Sequence, residues 1–245
     1  MGLWPFTSRK SILASGLLCG ASDRHSHILY GVDDGVRTLD ESLQCISLYE
    51  HAGLKELWLT PHIMEDVPNS SAMLRERFAQ LCDAYVSETD SFDGKVRLRL
   101  AAEYMMDTEF SRRLSEGDIL TMENNAVLVE MSTWAPPTDM MGILSKACAC
   151  GYRPILAHPE RYHYMHTADY EKLHAMGIAM QLNFGSLLGV YGEHSKKRAH
   201  ELLKRAYYSF AGSDCHRMKF LEKACSAPTL KESELKALAP LLQAH

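Results

Sequence analysis

The sequence predicts an α/β protein in which short parallel strands alternate with helices and close into a barrel. Three observations carry this. Seven short apolar runs recur along the 245 residues, with helical periodicity and its start and stop signals between them. Nearly every run ends in a side chain that can bind a metal: His25-Ser26-His27, His62, Glu103, Glu130, His158 and Asp214-Cys215-His216. An open doubly wound sheet would gather its site at one switch point, whereas candidates at successive strand ends suit the rim of a closed barrel.

Each element has a local reason. Thr38-Leu39-Asp40-Glu41 is a capping box, followed by apolar Leu43, Ile46, Leu48 and Tyr49 and by Gly53 as a left-handed stop. Residues 54–59 then form a strand broken by Pro61, which has no N–H for a ladder, and His62 lies at its carboxyl end. Met73, Leu74, Phe78, Leu81 and Tyr85 keep helical spacing, and residues 96–100 alternate as a strand before Glu103. Residues 126–129 run into Glu130, a helix over 143–150 stops at Gly151, and residues 154–157 run into His158. A helix over 170–176 stops at Gly177, residues 178–182 run into Asn183, and a helix over about 196–207 precedes a strand at 208–211 and Asp214. Glu234, Leu235, Leu238, Leu241 and Leu242 predict a closing amphipathic helix. No linker or second composition regime appears, so residues 23–245 are expected to form one domain after an N-terminal arm, residues 1–22. Trp4, Pro5 and Phe6 are expected to pack loosely there.

Composition narrows the function. A formal charge of −5 at pH 7 gives no basic surface for nucleic acid. The seven cysteines are odd in number, scattered and mostly inside apolar patterns, which fits reduced thiols in a cytoplasmic setting. The apolar stretch after Arg9-Lys10 is short for a signal peptide, and no run is long enough to span a bilayer. No cysteine begins a Cys-x5-Arg motif, which excludes a thiolate phosphatase.

Residues two apart on a strand face the same side, so His25 with His27, and Asp214 with His216, can grip one ion while Ser26 and Cys215 turn away. A lone histidine would carry little weight. Two such pairs, with His62, His158, Glu103 and Glu130 at equivalent positions, point to a multinuclear centre. Asp33-Asp34-Gly35 reads both as a turn and as a way to aim Asp34 at a metal. Carboxylates mixed with imidazoles fit Mn, Fe or Zn better than Ca, and thiolate ligation is not expected.

These motifs, together with Val129-Glu130-Met131-Ser132, Ala157-His158-Pro159-Glu160-Arg161-Tyr162 and Gly212-Ser213-Asp214-Cys215-His216, resemble the PHP (polymerase and histidinol phosphatase) superfamily. Within it they are most similar to the bacterial capsule and exopolysaccharide tyrosine-protein phosphatases, from about Asp23 to Leu221. The resemblance implies a distorted (β/α)7 TIM-like barrel of the PHP type holding three divalent ions, manganese by preference. It implies hydrolysis of phosphotyrosine, typically on a bacterial tyrosine kinase that controls polysaccharide export. Carried over by position, His25, His27, Asp34, His62, Glu103, Glu130, His158, Asp214 and His216 are the metal ligands, with Glu103 and Asp214 bridging, and Arg161 clamps phosphate. Arg161, Asp214 and His216 are the catalytic set. Arg24 departs from the family's apolar or small residue and is expected to make an outer-face contact, while Arg217 leaves a second clamp open.

Clustered cations can generate hydroxide near neutral pH and neutralise phosphoryl oxygens, so no protein nucleophile is needed. The leaving phenolate can take its proton from a bound water or from a histidine such as His163. Asn183, Ser186, Gly189, Tyr191 and Gly192 read either as a strand end and turn or as substrate-positioning groups. Phe184 with Tyr191, or Trp134 with Pro136 and Pro137, can flank an aromatic ring, and the sequence leaves that choice open. Competing readings are another PHP phosphoesterase acting on histidinol phosphate or nucleic acid, a metal-dependent amidohydrolase, and a catalytically silent scaffold.

Overall fold

A computed structural model describes residues 9–87 and 95–243; Trp4, Pro5 and Phe6 lie outside them. In chain order the elements are β1 (Ser22–Asp23), α1 (Leu39–His51), β2 (Glu56–Leu59), β3 (His62–Ile63), α2 (Ser71–Ser87), β4 (Arg97–Leu100), β5 (Glu103–Met105) and α3 (Thr108–Glu116). They continue as β6 (Ala126–Glu130), α4 (Met140–Ala149), β7 (Arg153–Ala157), α5 (Thr167–Ala175), β8 (Ala179–Asn183), α6 (Phe184–Leu187), α7 (Gly192–Lys204), β9 (Phe210–Gly212), α8 (Met218–Ser226) and α9 (Glu232–Leu238).

Among the described residues these strands pair in parallel, in a three-stranded sheet of order β1-β2-β4 and a six-stranded sheet of order β3-β5-β6-β7-β8-β9. Two of the seven expected runs are thus each split into two short strands. Pro61 interrupts one because it cannot donate, and the neighbouring run breaks opposite it at Ala101-Ala102. Hydrogen bonds still cross the break, from Ala101 N to Leu59 O (3.0 Å) and from Glu103 N to Pro61 O (3.1 Å).

The first and last runs also meet. Ser26 and Cys215 form an isolated parallel bridge, His27 N donates to Cys215 O (2.9 Å) and Asp214 N donates to His25 O (2.8 Å). On the other side Thr60 N donates to Ser26 O (2.8 Å). Asp23 pins this seam from the outside: it accepts from Ser213 N (2.9 Å), from His25 N (3.2 Å) and from the Tyr49 hydroxyl of α1 (2.6 Å).

The Thr38 capping box forms, with Glu41 N donating to Thr38 Oγ1 and Glu41 reaching back to the Thr38 amide, so α1 begins where its cap dictates. Its Leu43, Cys45, Ile46 and Tyr49 are buried against the sheets. A smaller interior cluster of Trp58, Ala101, Leu128, Ile155 and Ala157 fills the space between strands. Residues 9–20 pack against the C-terminal segment, with Lys10 paired to Leu230 and Ile12 and Leu18 buried.

Boundaries differ in instructive places. Helix α7 starts at Gly192, earlier than expected, and residues 184–187 form the short α6 instead of a turn. Helix α3 carries only Phe110 and Leu114 as buried apolar residues, too brief a stripe to register as periodicity. It is held by the Asp107 cap on Phe110 N (2.9 Å), by Gly117 in the left-handed region, and by burial worth about 1.5–3 kcal/mol for each of those two side chains.

Candidate metal centre

Strand parity places the first two ligand candidates as expected: His25 Nε2 and His27 Nε2 lie 3.1 Å apart, both buried. Glu103 Oε2, at the start of β5, is 3.2 Å from His25 Nε2, 3.3 Å from His27 Nε2 and 3.3 Å from His62 Nδ1, while its Oε1 is 3.1 Å from His158 Nε2. Asp214 Oδ1 faces His25, His27 and His216, each at 3.4 Å. His62 Nδ1 lies 3.0 Å from Glu130 Oε1, and Asp34 Oδ1 lies 3.5 Å from His62 and 3.3 Å from His216.

Nine residues thus form overlapping clusters that each could hold one ion. These are His27, Asp34, His62 and His216; His25, Glu103 and His158; His25, His27 and Asp214; and His62, Glu103 and Glu130. Every predicted ligand is among them. Ions also fit the local polarity: His62 Nδ1, Glu103 Oε2, Glu130 Oε1 and His158 Nδ1 are buried without a directed hydrogen bond. Such atoms are costly unless something pairs them.

Backbone geometry is specialised here. His158 and Asp214 have φ of 34° and 53°, in the left-handed region that side-chain-bearing residues avoid at a cost of order 1–3 kcal/mol each. Both turn the chain sharply as it leaves a strand. Gly35 and Gly212 permit close approach: a β-carbon at Gly35 would sit 1.9 Å from His27 O, and one at Gly212 would sit 2.6 Å from His25 Cβ.

Charges in the cluster are mutually dependent. Burial pulls the His25 and His62 imidazoles down, but the surrounding carboxylates more than offset it. Glu103 and Asp214 leave His25 pushed up to about 9, and Glu130 and Glu103 leave His62 pushed up to about 10. Burial pushes the Asp214 and Glu103 carboxyls up, yet the facing histidines hold both below the ordinary range.

Two residues outside the predicted set orient the rings. Asp33 Oδ2 lies 2.9 Å from His27 Nδ1 and accepts from His62 N (3.0 Å), while its Oδ1 accepts from Gly35 N (2.9 Å). Gln181 Oε1, on β8, lies 2.7 Å from His25 Nδ1. A polar residue within an apolar strand run was the available signal for Gln181. Asp33 was hidden by its plausible turn.

Around the rim, Arg161 donates to Asp214 Oδ2 (2.8 Å), which also accepts from Asn183 Nδ2 (2.9 Å), and its guanidinium stacks on Tyr191 at 4.4 Å. Arg217 donates to the carbonyls of Asp34 (2.7 Å), Gly35 and His216 (2.9 Å), which ties it to the turn carrying Asp34. Cys215 is buried away from the cluster, beside Cys45, whose contact and burial push its thiol up. His163 lies 3.5 Å from Ser195 and against His194 in a neighbouring cavity. Phe184 is fully buried, so it cannot flank a substrate ring. Arg24 does turn away from the cluster, but not onto an exposed outer face. It is buried 3.5 Å from Glu123 and over Phe210, in a cavity of about 220 Å³ at the strands' opposite ends, where the carboxylate and the ring face its guanidinium.

Fold and site together define an α/β protein of parallel strands with a candidate multinuclear metal centre at their carboxyl ends. The chain belongs to the capsular polysaccharide synthesis CpsB/CapC family, whose model matches residues 21–234. It is 26% identical over 201 residues to tyrosine-protein phosphatase YwqE of Bacillus subtilis, covering 80% of this chain and 78% of that protein. It is 27% identical over 207 residues to tyrosine-protein phosphatase CpsB of Streptococcus agalactiae, covering 80% and 83%. Among solved structures it matches a chain from the crystal structures of YwqE from Bacillus subtilis and CpsB from Streptococcus pneumoniae, described as unique metal-dependent tyrosine phosphatases. That match has a TM-score of 0.73, 24% identity, and coverage of 91% of this chain and 99% of the other. The inactive dihydroorotase-like domain of a Chaetomium thermophilum CAD-like multifunctional protein shares the fold more distantly, at a TM-score of 0.51 and 12% identity, over 92% of this chain and 77% of that one.

Proposed function

We propose that this chain is a metal-dependent protein-tyrosine phosphatase that acts on a phosphotyrosine protein, a bacterial tyrosine kinase of capsule or exopolysaccharide synthesis being the expected one. The observation that carries the reading is the convergence of nine imidazole and carboxylate side chains around buried atoms without directed partners. The names of the relatives in this family support the activity.

His25, His27, Asp34, His62, Glu103, Glu130, His158, Asp214 and His216 would hold the cations, three in number and manganese by preference, with iron or zinc as substitutes. When bound, divalent ions supply Lewis acidity that makes water a nucleophile near neutral pH and neutralises charge on phosphoryl oxygens. The chain's own groups do the rest. Asp33 and Gln181 fix the rings of His27 and His25. Arg161, now on Asp214 Oδ2, stands at the cavity over Asp214 and His216, where its planar fork can grip two phosphate oxygens. Arg217 is engaged by backbone carbonyls, which favours a role in holding the Asp34 turn over that of a second clamp.

The two sheets are read as one distorted (β/α)7 barrel, with Ser22 in its first strand and residues 9–20 packed on it, supported by the Ser26–Cys215 bridge between first and last runs and by the bonds across Pro61. No helix among the described residues is long and apolar enough to cross a membrane. Seven free cysteines support a cytoplasmic setting. The test is metal content by elemental analysis alongside phosphate release from a phosphotyrosine peptide, with chelation and manganese add-back. About three ions and manganese-restored turnover are expected. Bound metal with turnover only of histidinol phosphate or single-stranded DNA would move the chain to another phosphoesterase class.

A further inference from the structure

The cavity over the metal cluster has a neighbour that the proposed chemistry leaves unused. The first, of about 350 Å³, lies over Asp34, Asp214 and His216 and is walled by Arg161 and Tyr191. The second, of about 300 Å³, shares Arg161 and Tyr191 and is completed by Thr133, Trp134, His163 and Ser195. Phosphate held by Arg161 would therefore sit at the junction of the two.

Trp134 is the feature that asks for an occupant. It is 93% exposed, in a molecule whose other two-ring side chain among the described residues, Trp58, is buried. A single exposed apolar residue is ordinary on a protein surface, but the backbone that carries this one is held in place. Trp134 N donates to Ser132 Oγ (3.2 Å), and Ser132 O accepts from the Tyr164 hydroxyl (2.8 Å). One residue earlier, Met131 N donates to the Tyr162 hydroxyl (3.0 Å). Pro136 and Pro137 then fix two backbone φ angles just beyond. The loop carrying Trp134 is thus tied to the segment carrying Arg161, so the backbone that presents the indole is positioned relative to the phosphate clamp in advance of binding.

We propose that this second cavity is a docking subsite for the polypeptide that flanks the phosphorylated tyrosine, with Trp134 packing against a neighbouring side chain of the substrate. The proposal rests on the phosphatase reading of the adjoining site. Arg161 is committed to Asp214 and the phosphate, and no other Lys, Arg, Asp or Glu lines the subsite, so an apolar neighbour of the phosphotyrosine is the one that fits. The subsite makes the enzyme selective for phosphotyrosine in an extended chain over small phosphomonoesters.

The experiment compares the manganese-loaded full chain with Trp134→Ala and Trp134→Phe on a phosphotyrosine peptide and on p-nitrophenyl phosphate, with sedimentation of each protein. The ratio of kcat/KM for peptide to that for p-nitrophenyl phosphate should fall roughly 5- to 30-fold in Trp134→Ala, through the peptide KM, as truncating an anchoring aromatic residue does. Trp134→Phe should restore most of it. An unchanged ratio overturns the proposal, as does an unchanged ratio joined to loss of a dimer, which would assign the surface to a second copy of the chain. If the unsubstituted protein hydrolyses neither substrate, the phosphatase reading itself falls; if it hydrolyses both and the ratio does not move, only the subsite does.

Discussion

Asp33 Oδ2 and His27 Nδ1 lie 2.9 Å apart, and this contact leaves His27 Nε2 facing Glu103 and Asp214. A carboxylate on one imidazole nitrogen fixes both the tautomer and the ring plane, presenting the other nitrogen's lone pair to a cation. Asp33→Ala should therefore weaken manganese binding about 10- to 100-fold, read from a direct metal titration. Asp33→Asn keeps an acceptor and should lose less. Wild-type affinity in Asp33→Ala would reduce Asp33 to a turn former.

His158 and Asp214 join strained backbone to buried cluster contacts, whereas Cys215 between Asp214 and His216 points into the opposite core. His158→Ala and Asp214→Ala should each abolish phosphate release. Cys215→Ser should retain it and lose no more than about 1 kcal/mol of stability in urea unfolding, because Cys215 Sγ donates to Arg217 O (3.6 Å), an acceptor that a serine hydroxyl can also use. An inactive but folded Cys215→Ser protein would contradict this assignment of faces.

How far the sequence could be read follows from where each constraint lies. The Thr38 cap, the Gly53 stop and the facing of His25 and His27 depend on neighbours within a few residues, so spacing alone reveals them. Pro61 announced a break, but its effect on the adjacent run at Ala101-Ala102 arises across the sheet. Asp33 on His27, Gln181 on His25 and Arg217 on the Asp34 turn span 6 to 183 positions, and only the folded chain pairs them. Phe184 and Trp134 looked equivalent as aromatic flanks because an aromatic residue in a loop and one opening a short helix read alike. Burial separates them.

Arg161 reaches Asp214 Oδ2 without belonging to any cluster that could hold an ion, and Asn183 Nδ2 bonds the same oxygen. Arg161→Ala should leave metal content at the wild-type level, since Asn183 still restrains Asp214, while kcat/KM for a phosphotyrosine peptide falls about 10²- to 10³-fold. Arg161→Lys should recover little, because an ammonium keeps the charge and loses the planar fork. A drop in metal occupancy with the alanine variant would make Arg161 a support for Asp214 and not a clamp.

Metal removal should make stability depend on pH in a direction set by the histidines. In the cation-free cluster, burial lowers the His25 and His62 pKa values, but facing carboxylates prevail and raise them to about 9 and about 10. The folded state then keeps protons that the unfolded chain releases above about 6.5, the ordinary imidazole value. The unfolded state therefore binds fewer protons across that window, so unfolding free energy falls as pH rises; the full contribution is present below about 6.5 and is lost on passing the folded values. Cations take the place of those protons when they bind, so the stabilisation they confer should grow over the same window. Thermal unfolding of chelated and manganese-loaded protein from pH 6.5 to 9 checks this. The two melting temperatures should diverge as pH increases, with the chelated curve descending. A chelated protein whose melting temperature stays level to pH 9 would mean that His25 and His62 are already neutral in the cation-free cluster, and that the carboxylates around them are balanced by something other than imidazolium.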